Sequence, residues 1–178
     1  MQQPSPDTSS GRNPDANTWR DAAPAPDIAQ RLIQVNSKIS PAEDSFRLEL
    51  VSRPLLRVVQ YITGMESSFV TTIDWDAQTQ DVLYSLNTGE MQVPEGNRTD
   101  WGDSMCRSMF LAGVAHSSDI GTQIPIPAGA AALEMKSFFA VPILVGDNPI
   151  GTVCGASRSR IALSDAQMEA MQGVAPAK

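Results

Sequence analysis

Apolar residues along this chain fall into three regimes of spacing. Ile28, Leu32, Val35 and Ile39 recur at helical intervals and predict an amphipathic helix from residue 28 to about 36–40, which Pro41 should stop. A second helical pattern runs through Phe46, Leu50, Val51, Leu55, Val58, Val59 and Ile62, with Gly64 placed as a left-handed cap and Pro54 expected to break or kink it. The period then shortens. Residues 68–75 and 82–86 are rich in β-branched and aromatic side chains around the turn Asp76-Ala77-Gln78-Thr79-Gln80, which predicts a β-hairpin. Residues 87–97, punctuated by Gly89, Pro94 and Gly96, read as a loop. A short helix over 103–112 follows, with Asp103 as N-cap, Met105, Met109 and Phe110 on its apolar side, and Gly113 past its end. Alanine-rich residues 128–135 predict another short helix. Residues 136–145 and 150–157 form a second hairpin around Gly146-Asp147-Asn148-Pro149, and Ser164-Asp165-Ala166-Gln167 is a capping box that opens a last helix ending near Gly173.

Helices, hairpin, short helices, hairpin, helix is the order of an α+β domain with one antiparallel sheet covered by helices. At 178 residues the chain has room for one domain and a tail. Residues 1–27 hold five prolines and a single aromatic residue, too little apolar surface to offset ordering, and read as a disordered tail. The expected division is therefore tail 1–27, helix and linker 28–45, globular domain 46–173 and tail 174–178.

Thirteen basic residues against 20 acidic ones give a net charge of −7, the wrong sign for non-specific binding to nucleic acid or an anionic membrane. The longest apolar run, residues 138–145, is eight residues long, whereas a spanning helix takes about 20. With no basic, apolar leader at the start, a cytoplasmic location is expected. A single histidine, His116, removes most zinc, haem and Ser-His-Asp arrangements and reads as a solvated loop residue. No cofactor and no metal are expected.

The hairpin SSFVTTIDWDAQTQDVLYSLNTGE, the segment WGDSMCRSMF, the strands SFFAVPILVGDNPIGTVCGAS and the helix after IALSD together resemble a GAF domain, a small-molecule-sensing module related in architecture to PAS domains. WGDSMC and GTVCG are most similar to GAF domains that precede bacterial diguanylate cyclases and histidine kinases. The resemblance implies about six antiparallel strands, helices on one face and a loop-roofed pocket on the other, made by residues 89–135. It also implies an unidentified small-molecule ligand, a homodimer formed through the first and last helices, and an output domain or signalling partner. No cyclase, kinase or phosphodiesterase signature is present in these 178 residues, so the signal must pass to another chain or domain.

Candidate ligand contacts are Trp101, Asp103, Ser104, Met105, Cys106 and Met109 in the roof, with Phe139 and Cys154 on the late hairpin. The apolar members suit a pocket wall, and they suit an ordinary core equally. Cys106, near a helix N-terminus, is placed where free N–H groups favour a thiolate, although Asp103 opposes it. Cys106 and Cys154 are then two buried small apolar residues, a thiol redox pair, or groups holding a metal or a covalent ligand. In the second case the enzyme alternative is a GAF-type free methionine-(R)-sulfoxide reductase; the residue after Cys106 is arginine rather than the histidine usual at bilin attachment.

Overall fold

The computed structural model describes residues 41–174. The expected tails and the helix over 28–40 lie outside the described residues, apart from Val174.

Helix α1, Pro41–Thr63, carries Pro54 inside it and continues through. Pro54 has no N–H for the Leu50 carbonyl, but its side chain is exposed, so that carbonyl can be satisfied by water instead. Pro41, expected to stop a preceding helix, is the first residue of α1, which crosses the boundary drawn at residue 45. Gly64 closes the helix at φ 67°, with its N–H bonded to the Gln60 carbonyl.

Six strands follow: β1 Ser67–Asp74, β2 Thr79–Asn87, β3 Arg98–Asp100, β4 His116–Ser117, β5 Ser137–Val145 and β6 Asn148–Ser157. They form one sheet in the order β3-β2-β1-β6-β5-β4, and every neighbouring pair is antiparallel. Both expected hairpins are present, and the late strands β5 and β6 lie side by side. Strands β3 and β4 arise between the expected elements, at residues to which the sequence pattern assigns no strand. His116 is half-buried on the edge strand, with Nε2 2.9 Å from the Ile161 carbonyl oxygen, rather than solvated in a loop. Burial lowers its pKa below the ordinary value, and the hydrogen bond to Ile161 opposes this in part.

Two layers sandwich this sheet. On one face α1 and the last helix, α4 Asp165–Val174, pack on a cluster formed by Leu56, Val59, Met65, Val70, Phe139, Val141, Val153 and Met171. The expected capping box is formed: Gln167 N–H donates to Ser164 Oγ, and Ser164 N–H donates to Gln167 Oε1. On the other face lie a single 3-10 turn at Trp101–Asp103, α2 Met105–Ala112 and α3 Ala128–Ala132, joined by loops.

A β-bulge decides what β2 shows to each side. Val70 pairs with Tyr84 and Thr71 with Val82, leaving Leu83 extra, so the alternation of β2 changes phase there. Tyr84 and Leu86 therefore join the helix-facing cluster, and Val82 joins the opposite one. Without the slip, all the even-numbered positions of β2 would share one face.

Candidate functional site

On the face opposite α1 and α4, the short helices and loops leave a partly open cavity of about 390 Å³. Its floor comes from the sheet: Phe69 and Thr71 on β1, Gln80 and Val82 on β2, and Phe138 on β5. Its walls are Val93 and Pro94 from the loop before β3, Asp103 to Cys106 at the start of α2, and Ala130, Leu133 and Met135 around α3. The wall is built locally. Ser104 is the N-cap of α2, its Oγ accepting from Arg107 N at 3.1 Å, so the cap is Ser104 and not Asp103. Gly113, at φ 69°, ends the helix as a left-handed cap. Among the described residues, Asp103 is the one charged side chain in the lining, and it is exposed at the rim.

Beneath the wall lies a buried polar cluster. Gln80 Nε2 donates to Thr71 Oγ1 at 2.8 Å and to Thr152 Oγ1 at 3.1 Å, and those two hydroxyls are 2.6 Å apart. Because the amide supplies both of its hydrogens, the hydroxyls accept from it and retain their own hydrogens to donate onward. Thr152 Oγ1 lies 3.0 Å from Cys154 Sγ and 3.4 Å from Cys106 Sγ, and the two sulfurs are 3.3 Å apart. The hydrogen bond to Cys154, supported by Thr152 and Gln80, outweighs burial and holds the Cys106 thiol below its ordinary pKa. Burial, then the neighbouring Cys106, pushes Cys154 well above its own.

Four of the eight expected contacts, Asp103, Ser104, Met105 and Cys106, line the cavity together. Cys154 sits directly behind Cys106, in the same cluster. Trp101 and Met109 belong to the apolar cluster on this face of the sheet but not to the lining: Trp101 stacks edge-on against Trp75, centroids 5.2 Å apart, and Met109 is fully buried. Phe139 points to the other side of the sheet, into the helix-facing cluster. Its neighbour Phe138 takes the cavity side. The register contains the reason: Cys154 pairs with Ala140, so Phe138 shares its face and Phe139 cannot. Gln80, Thr71 and Phe69 were missed because nothing in a strand's pattern separates a pocket floor from a core.

The family model of the GAF domain matches residues 47–176, and the chain belongs to that family. It is 27% identical over 126 residues to the diguanylate cyclase DgcP of Escherichia coli (strain K12), an alignment covering 70% of this chain and 37% of that protein. The chain thus spans little more than a third of that relative. Its fold is similar to the blue-light absorbing form of the PixJ GAF domain of Thermosynechococcus elongatus, with TM-score 0.57, 12% identity, and 72% and 83% of the two chains covered. It is likewise similar to the chromophore-binding domain of the bacteriophytochrome RpBphP3 of R. palustris, with TM-score 0.56, 12% identity, and 68% and 50% covered.

Proposed function

We propose that this GAF domain is a bacterial, cytoplasmic sensor that binds a small molecule non-covalently in the cavity between the sheet and α2–α3. Occupancy is passed to an output domain or partner of the diguanylate cyclase kind. The observation that carries this reading is the partly open cavity, whose mainly apolar lining carries a few polar groups, Thr71, Gln80 and Ser104 among them, the usual composition of a small-ligand site. Among the described residues no basic side chain lines it, which favours a neutral or cationic ligand over an anion held by an ion pair. A ligand can signal only by preferring one arrangement of the short helices over another, and α2 and α3 are the elements it would touch. GAF domains are generally sensory rather than catalytic modules, and the comparisons give the reductase alternative no support.

Native mass spectrometry of protein purified from cells tests the reading. A small-molecule adduct should be present on the wild-type chain and absent from Ala130→Phe, whose ring would fill the cavity. A folded Ala130→Phe protein that keeps the adduct would remove the cavity from the proposal.

Dimerisation is part of the same reading. Val51, Val58 and Tyr61 form an exposed stripe on α1 at intervals of seven and three residues, the spacing of a helix–helix seam. Val58→Glu should shift the sedimentation of the protein towards monomer; an unchanged dimer would place the interface elsewhere.

A further inference from the structure

The sulfurs of Cys106 and Cys154, 3.3 Å apart, are not needed to hold a ligand non-covalently. They are unequal in position. Cys106 is part of the cavity lining and keeps 2% of its surface exposed, whereas Cys154, with no exposed surface, lies behind it on the central strand β6. They are also unequal in chemistry, since Thr152 and Cys154 both stand within hydrogen-bonding reach of Cys106 Sγ, where they can stabilise negative charge. A thiolate-prone sulfur in a cavity wall, backed by a second thiol, is the arrangement of a two-cysteine redox site.

We propose that Cys106 and Cys154 are a hydroperoxide-reactive dithiol set in the cavity wall, which oxidises to an intramolecular disulfide joining α2 to β6. In the first step the Cys106 thiolate attacks the terminal oxygen of a hydroperoxide. The S–O bond forms, the O–O bond breaks, and the alkoxide or hydroxide takes a proton and leaves. Cys106 becomes a sulfenic acid, oxidised by two electrons. In the second step Cys154 sulfur attacks Cys106 sulfur: the S–S bond forms, the S–O bond breaks, and the Cys154 proton leaves with the departing hydroxyl as water. Two thiols and one hydroperoxide thus give one disulfide, one alcohol or water, and one further water. Closing from 3.3 Å to disulfide length takes about 1.2 Å, a local adjustment at the start of an eight-residue helix. Because α2 supplies part of the cavity wall, oxidation would fix the element that a ligand must touch.

The test uses the full chain, reduced and then exposed in its native state to one equivalent of hydrogen peroxide, followed by alkylation after unfolding and peptide mapping. The expected result is simultaneous loss of both thiols, a Cys106–Cys154 cross-linked peptide within one chain, and its reversal by dithiothreitol. Dimedone should label Cys106 in Cys154→Ser, where the sulfenic acid cannot be resolved. In Cys106→Ser, oxidation of the remaining thiol should be slower by about tenfold or more, because an enclosed thiol with no thiolate character is a poor nucleophile. Two thiols still free in the wild-type chain would overturn the proposal. So would oxidation of Cys106 beyond the sulfenic acid without a cross-link, or a disulfide only between chains. These readings come from the wild-type protein and stand even if a variant folds poorly.

Discussion

The two faces of the sheet are built from alternate residues of the same strands, yet they are filled differently. Against α1, 23 residues long, and α4, 10 residues long, the strands present Val70, Phe139, Val141 and Val153, and the layer closes into an apolar cluster. Against α2, of eight residues, and α3, of five, the same strands present Phe69, Thr71, Phe138, Thr152 and Cys154, and the layer leaves about 390 Å³ open. Long helices lay continuous ridges on a sheet; short helices joined by loops cannot, and they leave a gap. Buried polar groups are tolerated beside that gap because they satisfy one another, as Gln80, Thr71 and Thr152 do. The helix side therefore supplies stability, and the side that closes incompletely supplies the cavity.

The comparison would break most visibly at Phe139. Its side chain is fully buried on the helix side, so Phe139→Ala should cost about 3–5 kcal/mol in transfer and cavity energy. Urea denaturation measures that loss, and ligand stoichiometry per folded molecule should not change. A mild loss of stability accompanied by loss of ligand would reverse the assignment of faces.

Much of this asymmetry was legible in the chain, but not its parity. The hairpins, the Gly64 and Gly113 caps and the Ser164 capping box follow from turn and cap chemistry, which is local. Strands β3 and β4, three and two residues long, are too short to show a period and exist only because β2 and β5 offer them an edge. The run from Phe138 to Val145 is apolar throughout, so alternation cannot say which phenylalanine faces the cavity, and the register with β6 decides it. The phase change at Leu83 is likewise a property of the pairing and not of β2. In α1 the second helical pattern placed Val51 and Val58 among the apolar set, yet both are exposed, while Ser52 and Thr63 are buried. Tertiary contacts chose the buried stripe there.

A smaller effect is expected on the cavity side at Thr152. Thr152→Val keeps the shape but removes the acceptor for one Gln80 hydrogen and the hydroxyl next to both sulfurs. Leaving that buried amide hydrogen unpaired should cost about 1–3 kcal/mol, again read from urea unfolding. The Cys106 thiol should also titrate at higher pH, seen as slower alkylation by iodoacetamide at neutral pH. Unchanged stability together with an unchanged alkylation rate would show that the polar cluster does not hold the cavity floor.

The smallest effect separates the faces by their response to acid. Glu66, just before β1, accepts from Ser157 Oγ at 2.8 Å and Arg158 N at 3.0 Å, and Gly89, lacking a Cβ, leaves room for its carboxylate. It thereby ties the end of β6 to the loop that leads into the cavity wall at Val93. Burial raises its pKa, but hydrogen bonds from Ser157, Arg158 and Met91 more than offset this, and the net position is below the ordinary 4.5. A carboxylate with a lowered folded-state pKa stabilises fully above its unfolded pKa and loses that contribution as pH falls through the folded value. Glu66→Gln should therefore be less stable than wild type at pH 7, by less than about 1 kcal/mol at this partly solvated position. The gap should close at an acidic pH below the folded-state value, where the carboxyl of the wild type is protonated. The paired acids Asp81 and Glu95 titrate in both proteins and cancel from the difference. Urea midpoints at the two pH values decide the matter: a gap that stays constant would mean that Glu66 anchors the loop by shape and not by charge.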